Sequence, residues 1–206
     1  MDPVRLVVWS DYLCPWCYNA AHRLALLERE LGEALELEWR AFLLRPQPGR
    51  SRDLVEFVRY TQSWLRPAAE GDAPRFRVWE TGEGPPSHSV PPQLAAKAAA
   101  RLGADAFRAL HAGLLRAYFE ENRDISSAHT LRALWREVGL EEAAFAAAAD
   151  PALLEETVGE HREALERGMT GVPAVAVQGH DGFVMGAQPL PVYRRWVQRL
   201  REGVLD

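Results

Sequence analysis

The chain changes hydrophobic period three times, and the changes mark its architecture. Val4, Leu6, Val7, Val8 and Trp9 form a short apolar run read as a strand. Ala20, Leu24, Leu27 and Leu31 then recur at helical spacing, with Arg23, Glu28 and Glu30 turned away and Gly32 as the stop. Leu35 to Ala41 alternates strictly, as a strand with one buried face does. A helical crossover of this length suits parallel pairing of the two strands.

Arg45-Pro46-Gln47-Pro48-Gly49-Arg50 ends this first unit, and residues from about 52 to 168 read as helical. Leu54, Phe57, Val58 and Leu65 mark one helix, and Gly71 to Pro92 an irregular passage with a short helical turn. Leu94, Ala98 and Leu102 mark the next, ended by Gly103, and Phe107, Leu110, Leu114 and Tyr118 a third. Ser126 or Ser127 is placed to cap a fourth through Leu131, Leu134, Trp135 and Val138. Asp150-Pro151 opens a last one, with Leu154, Val158, His161 and Leu165 as its apolar stripe. Ala174–Val177 and Phe183–Met185 flank a turn sequence and read as a hairpin. A closing helix after Pro191 carries Val192, Trp196, Val197 and Leu200. The expected class is α/β. Strand-helix-strand over 1–50 joins strand-strand-helix over 165–206 as one discontinuous domain, with an all-helical insertion at 51–164.

Composition narrows the partners. The 206 residues carry a net charge of −5 and a pI near 5.7, without the clustered basic residues of a nucleic-acid footprint. The cations are 23 arginines and the single lysine Lys97, and Ile125 is the one isoleucine, a bias that a GC-rich coding sequence explains. No apolar stretch reaches the ~20 residues that span a bilayer, and no secretory leader precedes the first strand. A cytoplasmic location is expected, where disulfides are mostly transient and catalytic.

The only two cysteines stand at Cys14-Pro15-Trp16-Cys17, four residues past the first strand and at the start of the first helix. A thiol at a helix N-terminus meets free N–H groups and the positive end of the dipole, which lower its pKa from about 8.5 toward the 3.5–7.5 range. Cys14 is therefore expected to be the accessible, acidic thiol. Cys17, one turn on, is shielded and able to attack a mixed disulfide formed by Cys14. Pro15 sits where a helix needs no N–H, and Trp16 is expected to lie exposed beside the sulfurs. Two bland readings stand beside this one. A zinc site needs about four ligands, and no second C-x-x-C or histidine pair supplies them; buried structural cysteines would carry no such spacing. The six histidines are scattered, and only His88 lies on a loop expected near the active face.

Ser10-Asp11-x-x-Cys14-Pro15-Trp16-Cys17, the long helical insert and Gly168-x-x-Gly171-Val172-Pro173 resemble the DsbA-like thiol oxidoreductases of thioredoxin-like fold. Ala117-Tyr118-Phe119, Asp124-Ile125-Ser126 and Gly186-Ala187-Gln188 resemble the FrnE-like subgroup among them. The resemblance implies that Cys14 is the nucleophile and Cys17 the resolving thiol. It also implies that Val172-Pro173 is a cis pair beside the sulfurs, whose backbone docks an extended substrate. Asp11 falls on the family's acidic position. It is read either as a proton carrier for a thiol or as a turn residue closing the strand. The DsbA type protein has histidine where Trp16 stands, so a disulfide less oxidising than its ~−120 mV is expected. The implied partners are protein or small-molecule thiols and disulfides, glutathione included, with no metal or cofactor.

Two rival functions remain on the sequence. Glutathione-dependent isomerases of the kappa-class and chromene-carboxylate type share the inserted fold, but usually carry serine where Cys14 stands. A redox-inert module that binds a ligand in its helical groove would leave the cysteines merely buried.

Overall fold

The computed structural model describes residues 2–49 and 53–204. Its strands are β1 (Val4–Ser10), β2 (Leu35–Ala41), β3 (Ala174–Val177) and β4 (Phe183–Met185). Its helices are α1 (Pro15–Leu31), α2 (Leu54–Thr61), α3 (Leu65–Ala68), α4 (Val90–Ala100), α5 (Ala104–Phe119), α6 (Ala128–Glu137), α7 (Pro151–Glu166) and α8 (Leu190–Arg201). The strands form one sheet in the order β2-β1-β3-β4. β1 and β2 pair in parallel from Val4↔Leu35 to Ser10↔Ala41, as the α1 crossover requires. β3 runs antiparallel to β1, with Leu6 opposite Val177, and β4 antiparallel to β3.

β1 is the central strand, and Leu6 to Ser10 is buried without a break, as a strand covered on both faces must be. On one face Leu6, Val8 and Val175 pack with Leu24 and Leu27 of α1 and Tyr193 and Val197 of α8. On the other, Val7, Trp9, Ala174 and Ala176 pack with Ala164 of α7 and with Met169. A third core fills the helical block around Trp64, Trp79, Tyr118, Phe119 and Trp135. No described helix is long and apolar enough to cross a membrane.

The helical block departs from the sequence pattern at several places. The passage after Gly71 stays irregular, apart from a turn closed by Ala73 N–H to Glu70 O, only as far as Ser89. α4 takes Pro91 and Pro92 into its first turn, where missing N–H groups cost nothing. It ends at Ala100, so Leu102 lies exposed beyond it. Neither serine caps α6 through its side chain: the Ser126 hydroxyl donates to Asp124 at 2.6 Å, and Ser127 at the cap position makes no such bond. α8 likewise starts one residue before Pro191 and buries Tyr193 and Val197 while Val192 is exposed.

α7 presents a different face from the one its apolar stripe indicates. Leu154, Val158 and Leu165 are exposed, whereas Leu153, Thr157 and Ala164 are buried. The cause is polar: Glu160 turns inward to accept from Lys97 at 2.7 Å and from the Ala41 N–H at 2.7 Å, which rotates the helix by about one position. The expected domain limit at 164/165 falls inside α7, and the limit at 50/51 lies outside the described residues.

Arg23 on α1 fastens the insertion and the C-terminal segment to the same helix. Its side chain is 1% exposed. Nε donates to both Asp72 oxygens at 3.0 Å, one terminal nitrogen to Ala187 O and Gln188 O at 3.2 and 3.1 Å, and the other to Glu70 and Asp72. Arg23→Ala leaves two carboxylates facing each other and two carbonyls without a donor. Urea unfolding should show a loss of about 2–4 kcal/mol.

Candidate active site

The end of β1 hands the chain directly to the first turn of α1. Cys14 is the N-cap residue, extended at φ −95° and ψ 116°, and Pro15 occupies the first helical position. Cys14 O accepts from Cys17 N–H at 3.0 Å, which winds the two cysteines onto one turn. No side chain caps this helix, and Cys14 O itself takes the Cys17 and Tyr18 N–H groups. Both cysteines are free thiols and lie 3.5 Å apart.

The two thiols have different surroundings. Cys14 is 6% exposed and Cys17 fully buried. Cys14 is thus less open than its position on the helix suggests, and the residue that covers it comes from 158 positions away. Its thiol donates to Val172 O at 3.3 Å. The Val172–Pro173 peptide bond is cis. Trp16 is 36% exposed beside the pair. Cys17 is pushed well above its ordinary pKa, first by burial and then by the hydrogen bond and charge of Cys14. The Ser10 hydroxyl and the Asp11 N–H donate to its sulfur and oppose that shift.

Asp11 is wholly buried beneath the turn. One carboxylate oxygen accepts from Leu13 N–H at 2.7 Å, and the other from Leu44 N–H at 2.7 Å. The Ser89 hydroxyl donates to it as well, while accepting from Arg45 N–H at 3.0 Å. Asp11 O accepts from Cys14 N–H at 3.1 Å. It therefore closes the turn as an aspartate does, and also joins the turn to the segment after β2 and to the start of α4. Burial raises its pKa to about 6, against three hydrogen bonds and the Arg45 charge.

Cys14, Cys17, Pro15, Trp16, Asp11, Val172 and Pro173 thus all meet at this corner, but several supporting residues were not legible in the sequence. Gln93 of α4 donates to Ser10 O at 2.9 Å. Tyr12, inside the turn, bonds His111 Nδ1 of α5 at 2.8 Å, and burial pushes His111 down to about 3, so the ring is neutral. Ser10 abuts the cysteine motif and could have been read from it. Ser89, Gln93 and His111 lie 75 or more residues further on, with no local signal of where they pack. The 87–89 segment reaches the site through Ser89, whereas His88 bonds Ser87 at 2.7 Å. Among the described residues no group of three or more His, Cys, Asp or Glu could hold a metal ion.

The DSBA-like thioredoxin domain family matches residues 5–198. The chain is 25% identical over 211 residues to YwbO of Bacillus subtilis (strain 168), covering 93% of this chain and 94% of that one. The cytosolic disulfide reductase DsbM from Pseudomonas aeruginosa, whose structure was solved with GSH, superposes with a TM-score of 0.74 at 25% identity, covering 98% of this chain and 99% of that one. A 2-hydroxychromene-2-carboxylate isomerase superposes at 0.67 with 19% identity, covering 98% of this chain and 100% of that one, a likeness of fold.

Asp11 makes a testable mark on stability. Its pKa is near 6 when folded and near 3.8 when unfolded, so between these values the folded state holds the proton that the unfolded state has released. This contribution to stability is present at pH 4, falls as pH rises, and is gone above pH 7. The difference between wild type and Asp11→Asn should decline by about 2 kcal/mol from pH 4 to pH 7, measured by denaturant unfolding at each pH. A difference that is level from pH 4 to 7 would show that Asp11 is ionised throughout.

Proposed function

Because the chain belongs to the DsbA-like thioredoxin domain family of thiol-disulfide oxidoreductases, we propose that Cys14 and Cys17 are its reactive dithiol, with Cys14 as nucleophile. The observation that carries this reading is the pairing of two free thiols 3.5 Å apart at the uncapped start of α1. In reduction the Cys14 thiolate attacks one sulfur of a substrate disulfide; that S–S bond breaks, and the departing thiolate takes up a proton. Cys17 then gives up its proton and attacks the Cys14 sulfur, which forms the Cys14–Cys17 disulfide and releases the second substrate thiol. Oxidation of a substrate dithiol runs the same steps backwards.

The surroundings of Cys17 support this order of events. Two of the causes that hold its proton are the hydrogen bond and charge of Cys14. Both vanish once Cys14 is tied in a mixed disulfide, so Cys17 becomes easier to ionise at the moment its attack is needed. The Val172 carbonyl has a matching part. It accepts the Cys14 thiol proton in the reduced protein, and ionisation of that thiol frees it for a backbone N–H of an extended substrate. Pro173 has no N–H of its own, so the docking edge is the backbone of Val172. Trp16, exposed beside the sulfurs, offers an apolar surface to the same substrate. The insertion bounds the site through Ser89 and Gln93, and we take 51–164 as the unit that shapes substrate access.

The same reading extends to location and partner. The sequence motifs resemble those of the FrnE-like subgroup, and we take the chain as a member of it. With the cytosolic DsbM among its structural relatives, solved with GSH, we assign a cytoplasmic setting and glutathione as a small-thiol partner. Two adjacent thiols favour dithiol exchange over the glutathione-dependent isomerisation suggested by the isomerase fold, and over an inert binding module.

Insulin reduction coupled to glutathione tests the assignment. Cys14→Ser should abolish turnover. Cys17→Ser should accumulate a mixed disulfide at Cys14, visible as a glutathione or substrate adduct by mass spectrometry. Full turnover in Cys17→Ser without adducts would instead establish a monothiol mechanism.

A further inference from the structure

A second concave surface lies along α1, and neither cysteine lines it. The Tyr18 hydroxyl donates to Glu120 at 2.6 Å at one end, and Arg108 donates to Glu28 at 2.9 Å at the other. These two ties fix α1 and α5 antiparallel over ten residues of α1, a span of about 15 Å at the helical rise. Between them the facing side chains include Ala21, Ala25 and Ala112, too small to fill the gap, and the floor is Leu37 and Trp39 of β2. The result is a groove of about 420 Å³, within the roughly 300–1,000 Å³ of small-molecule sites.

The charge and chemistry of its lining select among occupants. Three arginines and one carboxylate border it. Arg108 is bound by Glu28 and Asp105, and Arg116 by Glu121. Arg29 has no ion pair or side-chain hydrogen bond among the described residues and is the uncompensated charge. Trp39 and Phe107 present ring surface, with the His111 ring held against both at centroid distances of 4.4 and 5.2 Å. His111 Nδ1 is taken by Tyr12, while its buried Nε2 has no partner among the described residues. An anionic head would meet Arg29, a cation that no carboxylate holds among the described residues, whereas an all-apolar occupant would not use it.

We propose that this groove binds a small amphiphilic anion, its flat apolar body of one or two rings against Trp39 and Phe107 and its negative head at Arg29. The site is separate from the dithiol, so its test does not depend on the thiol chemistry. Through His111 and Tyr12 it touches the turn that precedes Cys14.

Calorimetric titration of the full chain with 2-naphthalenesulfonate, and with neutral 2-naphthalenemethanol, decides the matter. Saturable one-to-one binding of the sulfonate is expected. Ala112→Phe and Ala25→Phe, both at exposed positions, fill the groove and should each weaken it by about tenfold or more, with unfolding midpoints unchanged. Arg29→Glu should weaken the sulfonate about fivefold and leave the alcohol unaffected. Absence of saturable binding, or wild-type affinity in both phenylalanine variants, would overturn the site. Sulfonate affinity untouched by Arg29→Glu would overturn the anion as its occupant.

Discussion

The Asp11 carboxylate takes hydrogen bonds from its own turn and from two stretches of chain remote in sequence, and the geometry of the thiols depends on it. Leu13 N–H lies in the turn before Cys14, Leu44 N–H in the segment after β2, and the Ser89 hydroxyl at the start of α4. A carboxylate can accept all three because it has about four acceptor positions and no proton to place when ionised. Burial makes that charge expensive, which is why its pKa rises to about 6 despite these donors. The turn is held by a group that is under electrostatic strain of its own, and loss of any one donor would raise the cost further.

Everything around that carboxylate serves to set one helix against one strand end. β1 is buried on both faces and cannot shift, α1 leaves it through the Asp11 turn, and Arg23 ties the middle of α1 to the insertion and to the segment at 187–188. The polypeptide returns at the far end of the chain to bring Val172 against Cys14. The insertion supplies Ser89, Gln93 and His111, so it braces the turn as well as bordering the site. In the proposed cycle this rigidity keeps Cys17 within reach of Cys14 while Cys17 retains its proton.

Local patterns in the sequence were informative wherever local physics decides structure. The period change from β1 to α1 to β2, the proline after Cys14 and the stop at Gly32 all reappear, because strand alternation and helix capping act within a few residues. The same holds for the Asp150 cap of α7, whose side chain accepts from Ala152 N–H. Long-range polar contacts overrode the pattern elsewhere. Glu160 turned α7 by answering Lys97 and Ala41, and no reading of apolar spacing could have weighed a salt bridge to a residue 63 positions away. Cys14 was legible as a helix-start thiol, and the family resemblance put Val172-Pro173 beside it; hydrophobic spacing alone could not, since only the closed fold brings residue 172 to residue 14.

In the proposed cycle Cys14 and Cys17 form one reversible two-electron couple. Equilibration of the protein in glutathione buffers of graded potential, with free thiols trapped by alkylation and counted by mass, tests it most directly. Both thiols should disappear together in a single transition, at a potential more negative than the ~−120 mV of DsbA. Thiols that stay free across the whole range, or that take up glutathione singly at separate potentials, would contradict it.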